Sequence, residues 1–117
     1  MTKITLDGKE YEMVCNMKTF VEYQRETGND IPTDMAESKD RFDEIRKTCQ
    51  LCSIMIASVR GAKDLPTTDD ILCMMDDVEK CNEMSTIVAE ELFRFRGIKP
   101  GDEQPSAAKS DDDPKNE

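Results

Sequence analysis

Arg41-Phe-Asp-Glu-Ile-Arg-Lys-Thr-Cys-Gln-Leu-Cys-Ser-Ile-Met-Ile-Ala-Ser-Val59 is the stretch on which the fold depends. Phe42, Ile45, Cys49, Cys52, Ile56 and Val59 step by three and four, the spacing that lines side chains along one face of an α-helix. Leu51, Ile54 and Met55 widen the stripe in the second half. With Ser38 as cap and Gly61 as stop, the pattern predicts a helix over 38–60. Its second half is apolar around most of its circumference and needs cover on several sides. The flanking sequence has to supply that cover.

On the N-terminal side, Ile4 and Leu6 alternate with Lys3, Thr5 and Asp7. Tyr11, Met13 and Cys15 alternate with Glu10, Glu12 and Val14. Asp7-Gly8 between them suits a two-residue type I′ turn, so residues 2–15 predict a β-hairpin. Asn16 caps a short helix over 17–27 that Gly28 stops, with Met17, Phe20, Val21 and Gln24 on its apolar face. Asn29 to Glu37, containing Pro32, reads as a loop. On the C-terminal side, Thr67 or Thr68 opens a short helix over 68–76 with Asp69 and Asp70 in its first turn, facing the positive end of the dipole. After Asp76-Asp77 a last helix covers 78–96, its stripe made by Cys81, Met84, Val88, Leu92 and Phe95 with Ile87 beside it. The fold class expected is mainly α (α+β): a hairpin followed by about four helices, one domain over 1–97. Residues 98–117 are rich in Pro, Ser, Lys and Asp, carry a net charge of −3, and predict a disordered acidic tail.

Composition narrows the function. The chain has 117 residues, 36% charged and 37% apolar, with a formal net charge of −10. Such a charge repels phosphate backbones, so no nucleic-acid partner is expected. The longest unbroken apolar run is Ile54-Met-Ile-Ala57, far short of a membrane span, and the N-terminal residues hold no apolar signal-peptide core. There is no histidine, which removes Ser-His-Asp and Cys-His nucleophiles and HExxH metal sites. Cys49-Gln-Leu-Cys52, with Cys73 and Cys81, has the donor count of a zinc site. The CxxC falls inside a helix on the apolar stripe, however, so these thiols read as reduced, buried small hydrophobes. Carboxylate pairs at Asp69-Asp70, Asp76-Asp77 and Glu90-Glu91 read as helix starts and solvated faces. Arg94 and Arg96 complement the C-terminal dipole of the last helix. No catalytic residue, cofactor or metal is expected. What remains over is Phe93 and Val14, with several of the eight Met, off the expected core faces. On a small domain such residues mark an association surface, and Phe93 and Val14 are the candidate partner-binding residues, with a homo-oligomer expected.

Ile4-Thr-Leu-Asp-Gly-Lys-Glu-Tyr-Glu-Met-Val14 followed by Asn16-Met-Lys-Thr-Phe-Val-Glu-Tyr-Gln-Arg-Glu-Thr-Gly28 resembles the opening of the tail assembly chaperones of long-tailed bacteriophages and prophages. The layout of residues 2–96 is similar to theirs, through Thr67-Thr-Asp-Asp-Ile71 to Glu90-Glu-Leu-Phe93. The five cysteines, the eight methionines and Arg25-Glu26 depart from that pattern. The resemblance implies a non-enzymatic role in the cytoplasm of the bacterial host. Such a protein binds the tape measure protein, keeps its hydrophobic helices soluble, recruits tail tube subunits, and is absent from the mature virion. Two alternatives from other classes remain: a small phage-encoded adaptor, regulatory or structural tail protein acting through a helical surface, and an enzyme or metal protein built on the four cysteines.

Overall fold

Asp7 and Gly8 both take positive φ, 54° and 82°, as a type I′ turn requires. They join β1 (Thr2–Leu6) to β2 (Lys9–Met13) in an antiparallel pair with Ile4 opposite Tyr11 and Thr2 opposite Met13. The computed structural model describes residues 1–97; the expected tail at 98–117 lies outside the described residues. Five helices follow the hairpin: α1 (Met17–Thr27), α2 (Ile31–Ala36), α3 (Arg41–Ala57), α4 (Thr68–Met74) and α5 (Val78–Phe95). Each is opened by a side chain that accepts a free backbone N–H: Asn16 from Thr19, Asp30 from Thr33, Asp40 from Asp43, Thr67 from Asp70, and Asp77 from Lys80.

α3 is the hub. It packs against α1, α4, α5 and β2, which explains why Leu51, Cys52, Ile54, Met55 and Ile56 are all buried. The hairpin docks on its C-terminal half, where the Val14 N–H donates to the Met55 carbonyl at 3.1 Å. Ile4, Leu6 and Met13 of the hairpin share one core with Met84 and Val88 of α5 and the buried residues of α3. Phe95 meets Phe20 edge-to-face, with ring centroids 5.0 Å apart.

Four expectations are corrected. Residues 29–37 are not all loop: Pro32 stands in the first turn of α2, where its missing N–H costs nothing. α3 starts after Asp40 rather than Ser38 and ends at Ala57. α1 buries Thr19 and Tyr23, with Phe20 half-buried, and leaves Met17 and Val21 exposed. Its inner face is polar but bonded: the Thr19 hydroxyl lies 2.8 Å from Ser58 Oγ and donates to the Val14 carbonyl. Finally, Phe42, in the first turn of α3, is 80% exposed rather than part of the buried stripe.

Candidate functional site

α5 divides into a buried seam and two open flanks. The seam is Met84, Val88 and Glu91, spaced four and three residues apart. Beside it runs a second row, Cys81, Ser85, Ala89 and Phe93, spaced four apart and half-buried throughout. Three of the four are small. Against Ile45, Thr48 and Leu51 of α3 they leave a groove of about 780 Å³, closed at one end by Phe93 and walled by Met35 of α2. Arg41 and Glu44 stand on its rim. On the other flank Met74, Met75 and Ile87 face the hairpin across a second groove of about 750 Å³. Both grooves are apolar between charged edges, the form that receives an apolar helix face.

Phe93 is therefore half-buried in a groove wall rather than left in water. Val14 is half-buried too, but lines a separate recess with Met1, Thr2, Glu91 and Arg94. The structure does not bring the two candidate residues into one groove. Met35, Ser85 and Ala89 carried no assignment from the sequence, and Cys81, expected on the core stripe, stands half-buried in this row instead. Their only signal there was the four-residue spacing, since small residues carry little hydropathy.

Two polar knots hold the walls. In one, the Glu91 carboxylate, 2% exposed, accepts from Thr2 Oγ1 at 2.6 Å, from the Cys15 N–H at 2.8 Å and from Arg94 Nε and Nη2. Arg94 also donates to the Cys15 carbonyl. Glu91 is thus not part of a solvated acidic face, and Arg94 does more than complement a dipole. Burial works to raise the Glu91 pKa, but the Arg94, Thr2 and Cys15 donors outweigh it, and the carboxyl titrates below its ordinary value. In the other knot, Asp34 accepts from Tyr23 Oη at 2.6 Å and from Asn29, with the buried Lys47 ammonium 3.4 Å from its carboxylate. Burial again opposes, the Tyr23 and Asn29 hydrogen bonds and the Lys47 charge again prevail, and Asp34 is lowered. Both carboxylates are held ionised, the reverse of the raised pKa that a general acid uses.

The thiols are set by burial. Desolvation pushes Cys15 and Cys49 up to about 11 and Cys52 up to about 12, away from the thiolate form that reacts or binds metal. Cys81 is half-buried and Cys73 exposed. Among the described residues, no three His, Cys, Asp or Glu side chains are grouped to hold a metal ion. No helix among them is long and apolar enough to cross a membrane. Compared with models of known families, with curated proteins and with solved structures, the chain matches none.

Proposed function

We propose that this chain is a tail assembly chaperone of the phage or prophage type, a non-enzymatic holder of apolar helices. The groove between α3 and α5 receives an amphipathic helix of the tape measure protein, and the complex recruits tail tube subunits in the host cytoplasm before the virion is complete. The observation that carries this reading is the row Cys81, Ser85, Ala89 and Phe93, which opens a helix-sized apolar trough ended by an aromatic anchor. Met35 on the trough wall supports it, since an unbranched thioether side chain repacks around varied partners. The net charge of −10 keeps a loaded complex in solution. A second copy of the chain covers the trough until cargo arrives.

The test is co-expression with a tape measure fragment from the same genome. The wild-type chain should keep the fragment soluble, and Phe93→Ser, folded by circular dichroism, should let it precipitate. A fragment equally insoluble with and without the wild-type chain refutes the reading. Light scattering of the chain alone tests the self-association: a monomer at all accessible concentrations contradicts it.

A further inference from the structure

α2 is the wall of the trough that is least tied to the rest of the molecule. It has six residues, and Pro32, Thr33 and Ala36 among them are exposed. It buries only Ile31 and Asp34, with Met35 half-buried over the trough. Its backbone hydrogen bonds among the described residues stay within its own turns and caps. Among the described residues, every hydrogen bond joining it to another helix ends on Asp34: Tyr23 Oη of α1 donates to the carboxylate, and Lys47 Nζ of α3 donates to the main-chain carbonyl at 2.6 Å. Short connections flank it, residues 28–30 on one side, beginning with Gly28 at φ 82°, and 37–40 on the other.

A buried charge pair with these partners fixes geometry more than it adds stability, because desolvation offsets most of the attraction. An element held by one polar residue and little apolar area belongs to the low-stability end of a fold, where local opening precedes global unfolding. We infer that α2 is a flap clasped at Asp34, whose release uncovers the trough between α3 and α5. The inference rests on the reading of that trough as a helix receptor and adds how its width is set. With α2 closed, Met35 narrows the trough; with α2 released, a bulkier helix face fits.

Hydrogen exchange followed by mass spectrometry tests the clasp without any partner. Asp34→Ala strands the Tyr23 hydroxyl and part of the Lys47 ammonium, and Tyr23→Phe removes a single bond from the clasp. Amides of residues 33–38 should exchange about tenfold faster or more in Asp34→Ala and less so in Tyr23→Phe, with α3 from Cys49 and α5 from Met84 unchanged. Binding of the dye 1-anilinonaphthalene-8-sulfonate should rise in Asp34→Ala and fall back when Phe93→Ser is added, since the uncovered surface is the trough. Unchanged exchange in α2 overturns the inference. So does equal acceleration through α3 and α5, or global unfolding of both variants, because the knot would then be core. Faster exchange in α2 without added dye binding shows that α2 moves but does not cover the trough, and also overturns it. None of these readouts depends on the tape measure fragment, so the flap and the chaperone reading fail separately.

Discussion

Truncating Glu91 should be among the costliest single changes in the chain, although nothing about it is apolar. Its carboxylate accepts from three residues, 2, 15 and 94, and so ties β1, the segment between β2 and α1, and the end of α5 together. In Glu91→Ala the buried Cys15 N–H loses its acceptor, which costs about 1–3 kcal/mol. The Arg94 side chain is 55% exposed, so water can solvate the released guanidinium, and that pair adds only about 0–1 kcal/mol. The lost Thr2 bond adds roughly 0.5–1.5 kcal/mol. The three together come to about 1.5–5.5 kcal/mol, a large part of the roughly 5–15 kcal/mol that holds a domain folded. Urea unfolding followed by circular dichroism should show the midpoint fall by about 0.5 M or more, given slopes of about 1–3 kcal/mol per molar for small domains.

The pH dependence adds an independent constraint. The folded Glu91 pKa lies below its unfolded value, so its ionised form contributes stability above the unfolded pKa of about 4.3. That contribution is lost as the pH falls through the lowered folded value. Glu91→Gln keeps the shape and removes the charge, so its stability deficit should be full at pH 7 and should shrink below about pH 4. A Glu91→Ala cost below about 1 kcal/mol, or a Glu91→Gln deficit that grows on acidification, would show that the knot does not hold these elements.

Three further outcomes are expected. Phe42→Ser should change stability by less than about 0.5 kcal/mol in urea unfolding, because the ring is 80% exposed; a loss in the roughly 3–5 kcal/mol range of a core aromatic would put it inside. Phe93→Ser should cost about 1–2 kcal/mol, less than full burial of a Phe is worth, and should weaken self-association measured by light scattering; an unfolded variant would make Phe93 core, and unchanged association would move the surface to the hairpin edge near Val14. Iodoacetamide with peptide mapping of the native chain should label Cys73 first and Cys81 next, leaving Cys49 and Cys52 unmodified until unfolding; early labelling of Cys52 would contradict its burial.

Where burial is a matter of apolar area, periodicity found it. The second half of α3 and the Met84–Val88 seam of α5 follow their stripes, and Asp7-Gly8 specified its turn by backbone chemistry alone. Where burial is achieved by hydrogen bonding, the same rule pointed the wrong way. α1 turns Thr19 and Tyr23 inward because Ser58 and Asp34 wait there as partners, so counting hydrophobes selected Met17 and Val21 on the exposed face. Glu91 is the stronger case, since its partners lie 76 and 89 positions away and no local charge pattern can announce them. α2 fell between the rules: six residues are too short to show a period, and Pro32 read as a breaker although after Asp30 it is a start signal. The trough combines all three difficulties. Its floor is a row of small residues, its wall is the unrecognised α2, and Met35 is positioned by a polar knot. A concave surface is made by the side chains that are missing from a row, and hydropathy scores only those that are present. The one mark that survives in the sequence is Phe93, a large ring continuing a row of Cys, Ser and Ala at four-residue steps. That is why a single aromatic off the main stripe is the expected site residue that lines the trough, while Ser85 and Ala89 beside it left no mark in the hydropathy.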